Sequence, residues 1–118
     1  MYSTQQYLRK SQKNKEFAES IPLGDATNVG WAMTALFYSA LHAVNAYLSK
    51  CHKSCSDHGE RDREILEDPK LQGIYDEYRD LKVFSQNARY HMHSYSQSQF
   101  QEAQNCLNTI QDHIDPLI

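Results

Sequence analysis

Residues 87–95, NARYHMHSY, bring together the side chains of this chain best suited to chemistry. One arginine, Arg89, is followed closely by His91 and His93, in a chain with six histidines. Three interpretations are open: an RNA-cleaving site, part of a metal site, or a polar helix end. In the last case Arg89 only complements the helix dipole and both histidines are exposed turn residues.

A second group of possible ligands lies in the segment CHKSCSDHG, residues 51–59. It contains four borderline or soft metal ligands within eight residues: Cys51, His52, Cys55 and His58. Tetrahedral zinc sites use such sets, but they usually combine two closely spaced pairs, and here there is one C-x3-C. The turn histidines near residue 92 would have to complete the set, so we expect no metal site and no cofactor.

Composition predicts one soluble globular domain covering residues 1–118. The hydrophobic share is 40% and the charged share 23%, as in ordinary folded proteins. The net charge of −3 argues against a broad nucleic-acid surface, although a small positive cleft is compatible with it. The densest basic cluster is Arg9, Lys10, Lys13 and Lys15. No leader or membrane span is evident, so we expect a cytoplasmic protein with reduced cysteines.

Helical spacing of apolar residues dominates, and no run alternates for long enough to predict a strand. We predict long helices over 3–20, 27–50, 69–90 and from Ser96 or Ser98 to about 114, with a short helix over 60–67. Asp68 and Pro69 would begin the third long helix as N-cap and first helical residue. The expected fold is an all-α, up-and-down bundle of four long helices plus a short one.

The second helix is the most broadly apolar and should lie at the centre. Its stripe is Val29, Met33, Leu36, Phe37, Ala40, Val44 and Tyr47 or Leu48, widened by Trp31 and several alanines. We also expect core contacts from Tyr7, Phe17 and Ile21 in the first helix. Cys106 should be a small core residue and His42 a buried, hydrogen-bonded structural one.

Three segments resemble the HEPN domains, small helical bundles of prokaryotic defence and toxin systems. WAMTALFYSALHAVNAYLSK is similar to their core helix, HGERDREIL to the segment that follows it, and LKVFSQNARY to the end of their third long helix. The resemblance covers roughly residues 27–110. It implies a homodimer acting on RNA without metal, and a nucleotidyltransferase-type antitoxin as a possible partner.

The resemblance also implies site residues. HEPN domains place an arginine and a histidine, spaced R-x4-6-H, in a cleft between subunits. Here Arg89 would hold the phosphate and His93, at R-x3-H, or His91 would move the proton. Tyr90, Tyr38, His58 and Arg61 are the candidate substrate-binding residues. Two outcomes stay open: a metal-independent endoribonuclease or a degenerate RNA- or nucleotide-binding relative. The alternative function is a non-enzymatic dimerisation or protein-interaction module.

Overall fold

A computed structural model describes residues 2–91 and 94–118. It contains five α-helices: α1 (Thr4–Ser20), α2 (Ala26–Lys50), α3 (His58–Glu67), α4 (Tyr75–Tyr90) and α5 (Gln97–Ile114). The 3₁₀ turn Gln72–Ile74 precedes α4, and the 3₁₀ turn Asp115–Leu117 follows α5. No strand occurs among the described residues. The predicted all-α bundle of four long helices and one short helix is confirmed.

The long helices run alternately up and down. Ser49 near the end of α2 donates a hydrogen bond to Tyr2 before α1, so these two helices are antiparallel. Gly30 near the start of α2 lies against Ala88 near the end of α4, which makes that pair antiparallel as well. Gln97 at the start of α5 bonds to the carbonyl of Leu23. Therefore α4 ends, and α2 and α5 begin, at one end of the bundle.

The central position of α2 is confirmed. Every residue of its predicted stripe is buried: Val29, Met33, Leu36, Phe37, Ala40, Val44, Tyr47 and Leu48. By contrast, α1 buries only Ser11 and Ala18. Two hydrogen bonds fix its close approach to α2, because the hydroxyls of Ser11 and Ser39 each donate to the other residue's carbonyl, at 2.7 and 2.9 Å.

Side-chain caps fix the helix starts. Ser3 and Ser96 each form a capping box with a glutamine three residues later, and this selects Ser96 over Ser98 as the cap of α5. Asp25 caps α2. Asp57 caps α3, which therefore begins at His58, two residues before the predicted start.

The predicted start of the third long helix at Asp68 and Pro69 is wrong. Asp68 instead ends α3, and α4 begins at Tyr75 after the 3₁₀ turn. One oxygen of Asp68 accepts a hydrogen bond from the Tyr47 hydroxyl at 2.8 Å. The other oxygen accepts from the amide of Lys70. This contact with α2 holds the segment as a turn.

Two predicted core contacts are also wrong. Phe17 and Trp31 are each 57% exposed, because the neighbouring helices cover other faces of α1 and α2. Tyr7 is half-buried, and Ile21 packs against the core. No helix among the described residues is long and apolar enough to cross a membrane.

Candidate functional site

Arg89 lies in the last turn of α4 with its side chain half-buried. Its Nη1 donates a hydrogen bond to the hydroxyl of Tyr38 on α2, at 3.2 Å. Its Nε donates to the carbonyl of Ser85, one turn earlier, at 3.3 Å. These bonds use two of five N–H donors and leave the rest of the fork for a ligand.

Two aromatic rings lie against the Arg89 guanidinium. Its central carbon lies 5.7 Å from the ring centre of Tyr38 and 4.8 Å from that of Tyr90. Within the described part of the chain Arg89 forms no ion pair with a carboxylate. Its position is therefore set by aromatic and hydroxyl contacts, and its charge is not neutralised by a neighbouring carboxylate.

Arg89 lines a cavity of about 570 Å³ at the end of the bundle where α4 ends. The lining is Ala26, Thr27, Gly30, Trp31, Ala88, Arg89, Tyr90 and Ser94. No carboxylate is among these residues. Trp31 and Tyr90 are 57% and 68% exposed, so both rings offer faces to a ligand. Sequence reasoning placed Trp31 in the core and missed it as a site residue.

Of the two histidines predicted to be catalytic, the structure describes only His91. His91 is the C-cap of α4, its side chain is exposed, and it is not among the residues that line the cavity. It forms no side-chain hydrogen bond with the described residues. His93 lies outside the described residues. The structure therefore brings Arg89 together with Tyr38 and Tyr90, two of the four predicted substrate-binding residues.

The other two predicted substrate-binding residues, His58 and Arg61, contact each other. Nη1 of Arg61 lies 3.4 Å from Nδ1 of His58. A guanidinium can only donate, so Nδ1 accepts and the neutral ring carries its proton on Nε2. Burial lowers the pKa of His58, and the positive charges of Arg61 and Lys82 lower it further. His58 is thus kept neutral near pH 7.

His58 also lies close to the Arg89 region. The positive charge of Arg89 contributes to the lowered pKa of His58. The ring of Phe37 contacts both His58 and Tyr38, with ring centres 5.9 and 5.5 Å apart. Phe37 therefore connects the Arg61–His58 pair to the Arg89–Tyr38 pair through direct packing.

An ion pair fixes the short helix that carries His58. Nζ of Lys82 on α4 lies 2.6 Å from a carboxylate oxygen of Asp62 on α3, and both side chains are mostly buried. Asp62 slightly opposes the lowering of the His58 pKa. This contact between residues 20 positions apart has no signal in the sequence.

His42 is half-buried on α2, and the predicted hydrogen bond is wrong for one nitrogen. Its Nδ1 is buried and has no hydrogen-bond partner among the described residues. The ring stacks on Tyr7 of α1, with centres 6.2 Å apart. Burial lowers the pKa of His42, and the charges of Lys10 and Arg61 lower it further.

The possible metal ligands are dispersed. Cys51 and Cys55 follow the end of α2, whereas His91 ends α4 at the opposite end of the bundle. The 25 residues of α2 separate these ends by roughly 37 Å. Among residues 2–91 and 94–118, no three His, Cys, Asp or Glu side chains are grouped as a metal site. Cys106 is only half-buried but packs against the core.

No protein-family model, curated protein or solved structure matches this chain.

Proposed function

We propose that this chain is a HEPN-like, RNA-directed protein that acts in the cytoplasm, with Arg89 as its phosphate-binding residue. The observation that carries the proposal is the state of Arg89. Its guanidinium is half-buried, contacts the rings of Tyr38 and Tyr90, is unpaired with any described carboxylate, and lines a 570 Å³ cavity. A planar fork of this kind suits a phosphate group.

The surroundings of Arg89 fit a single strand better than a duplex. Single-stranded nucleic acid is bound by cations that follow the backbone and by aromatic faces on which bases stack. Here the exposed rings of Trp31 and Tyr90 lie beside one guanidinium. A base stacked on Trp31 with its phosphate on Arg89 would use both features.

In the first version of this function, the protein is an endoribonuclease that cleaves the bound RNA. The 2′-oxygen attacks the adjacent phosphorus, a base accepts the 2′-OH proton, and the 5′-oxygen leaves with a proton from an acid. Arg89 offsets the charge that develops on the phosphate. His93, or failing that His91, is the proposed acid or base.

The test is binding and cleavage of a labelled single-stranded RNA, with EDTA present throughout. Arg89→Ala should weaken binding by about ten-fold or more, because hydrogen bonds to charged groups contribute roughly 1.5–3 kcal/mol. Arg89→Lys should restore only part of the affinity, since lysine keeps the charge but lacks the fork. Arg79→Ala is the matched control: Arg79 lies on the same helix but is exposed and paired with Asp76 and Asp80.

Three results bear on the proposal in different ways. Loss of binding and cleavage in Arg89→Ala alone would support the nuclease. Loss of binding without any wild-type cleavage would support the degenerate RNA-binding relative. Equal RNA binding by wild type, Arg89→Ala and Arg79→Ala would contradict both forms.

The second candidate function is a dimerisation or protein-interaction module. It is favoured by the types of exposed residues at the cavity, since tryptophan, tyrosine and arginine dominate the energetics of protein interfaces. Trp31, Tyr90 and Arg89 together form such a patch. A homodimer through α2 and the end of α4, or a nucleotidyltransferase-type antitoxin, would cover it. Sedimentation of wild type and Trp31→Ala, alone and co-expressed with such an antitoxin, tests this function.

A further inference from the structure

His42 of α2 lies in the wall of a cavity of about 630 Å³ where α1, α2 and α3 meet. Two cations line the same cavity, Lys10 from α1 and Arg61 from α3. Of the described residues that form its wall, none is a carboxylate. A positive charge on the His42 ring would therefore meet two like charges and no opposite charge in this wall.

The Nδ1 atom of His42 is buried and has no hydrogen-bond partner among the described residues. When the ring is neutral, its proton can lie on Nε2, and Nδ1 is then only an acceptor left without a donor. When the ring is protonated, both nitrogens are donors, so Nδ1 becomes a buried, charged N–H group without an acceptor. An unsatisfied charged group costs more than an unsatisfied neutral one. The packing around His42 therefore fits the neutral ring and opposes the protonated ring.

The charges around His42 act in the same direction. Burial lowers the pKa of His42, and the positive charges of Lys10 and Arg61 lower it further. The other side chains beside the ring, Tyr7 on α1 and Asn45 on α2, are uncharged. Nδ1 of His58 accepts a hydrogen bond from Arg61, so protonation of His58 would add positive charge to this region.

The helix α1 is the element that protonation of His42 can displace. It buries only two residues, Ser11 and Ala18, and both are small. Its ring contact with α2 is Tyr7 stacked on His42, with centres 6.2 Å apart and planes 25° apart. Segments with few buried apolar contacts open at a lower free energy than the whole domain unfolds. The first half of α1 is therefore the segment that should open first when the His42 ring becomes charged.

We propose that His42 is an acid-sensitive switch: the neutral ring holds the first half of α1 against α2, and protonation of the ring releases residues 4–11 from the bundle. The switch is independent of the RNA-directed function, because His42 does not line the Arg89 cavity.

The direction and size of the pH effect follow from proton linkage. In the released state His42 is exposed to water, and its pKa returns to about 6.5. The released state therefore binds more protons than the closed state, so release becomes more favourable as the pH is lowered through this value. Between pH 7.5 and pH 5.5 the equilibrium constant for release should rise by up to about ten-fold.

The experiment is hydrogen exchange of the full chain at pH 7.5 and pH 5.5, followed by mass spectrometry. Each exchange rate is divided by the rate of the same peptide in the unfolded chain at the same pH. The protection of residues 4–11 should fall by up to about ten-fold at pH 5.5, and at both pH values it should stay below the protection of α5. His42→Phe keeps a ring against Tyr7 but cannot take up a proton, so it should abolish the fall.

Matched variants separate the charge effect from a general change in packing. Lys10→Ala removes a repelling charge and should make the fall in protection smaller. Lys13→Ala, on the same helix but exposed and outside the cavity wall, should leave it unchanged. His91→Gln replaces an exposed histidine at the end of α4 and should also leave it unchanged. Circular dichroism checks that each variant is folded, and His42→Gln is a second variant that cannot be protonated.

Three results would overturn the proposal. The first is equal protection of residues 4–11 in the wild type at the two pH values. The second is a fall in protection that persists in His42→Phe and His42→Gln but is lost in His58→Gln, since His58 would then be the group that titrates. The third is equal protection of α1 and α5 at pH 5.5, because α1 would then open only when the whole domain unfolds.

Discussion

The fluorescence of Trp31 can report ligand binding in the Arg89 cavity, because Trp31 is the single tryptophan of the chain. Its indole is 57% exposed and lines that cavity. The intrinsic fluorescence of the free protein should therefore be that of a hydrated indole, readily quenched by acrylamide. A base that stacks on the ring should quench the emission and protect it from acrylamide.

The exposed fraction of Trp31 allows the loss of stability in Trp31→Ala to be estimated. A buried aromatic side chain removes up to about 250 Å² from water, so a side chain that is 43% buried removes about 110 Å². At about 25 cal/mol per Å² this is worth close to 3 kcal/mol as an upper limit. The higher helix propensity of alanine offsets roughly 0.5 kcal/mol of this loss. We expect the free energy of unfolding to fall by about 2 kcal/mol or less, and the variant to remain folded.

The loss of RNA affinity should be comparable, at roughly 1–3 kcal/mol for one stacked base. The assay titrates wild type with unlabelled single-stranded RNA and follows tryptophan emission, with Arg89→Ala as the variant in which quenching should need at least ten-fold more RNA. Trp31→Ala has no emission to follow, so its affinity is measured with labelled RNA.

The same signal separates RNA binding from dimerisation. If Trp31 is covered by a second copy, emission should shift to the blue as protein concentration rises, without RNA. Saturating RNA that leaves both emission and acrylamide quenching of Trp31 unchanged would refute the stacking argument, even if the RNA binds elsewhere on the chain.

Three further predictions test the supporting structure. Burial lowers the pKa of His58 in the native state. Between about pH 7 and pH 5.5 this histidine therefore takes up a proton more readily in the unfolded state than in the native state. The free energy of unfolding should therefore decrease as the pH is lowered. We expect this decrease to be less steep in His58→Gln than in the His91→Gln control, both measured by urea unfolding. Ser39→Ala removes a buried hydrogen bond to the backbone of α1 and should cost about 1 kcal/mol, whereas unchanged stability would contradict the close α1–α2 contact. Lys82→Ala leaves the half-buried Asp62 unpaired and should cost roughly 1–2 kcal/mol by the same assay.

The fold could be predicted because its signals are local. The apolar residues of α2 recur at helical spacing, and the capping boxes of Ser3 and Ser96 indicate where two helices begin. Asp68 shows the limit of this reasoning. Its sequence, Asp–Pro, is typical of a helix start, but the hydroxyl of Tyr47, 21 residues away, holds it in a turn. Pairings of that range are set by the assembled bundle and leave no local trace.

Trp31 shows a second limit. The apolar residues of α2 extend around most of the helix, so periodicity alone does not tell which flank is left uncovered. That depends on where the neighbours pack, and α1 covers α2 chiefly through Ser11 and Ala18. Small residues bring α1 close to one strip of α2, and Trp31 stays exposed.

The candidate site was only partly predictable. Arg89 was singled out by composition and resemblance, but its contact with Tyr38 joins residues 51 positions apart. The pairing of Arg61 with His58 follows from their spacing of three residues on one helix. The position of Arg61 at a cavity of about 630 Å³ does not, since the other walls of that cavity come from α1, α2 and Tyr2.

The net charge of −3 is compatible with the proposed phosphate site at Arg89, because recognition depends on the local field. Arg61 and Arg89 each line a cavity whose lining contains no carboxylate, and neither is paired with one among the described residues. By contrast, Arg79 and Lys82 lie on the same bundle but are neutralised by aspartates. Asp62, Asp76 and Asp80 therefore compensate cations that line neither cavity. Low-dielectric walls then strengthen the fields of the two uncompensated arginines within them.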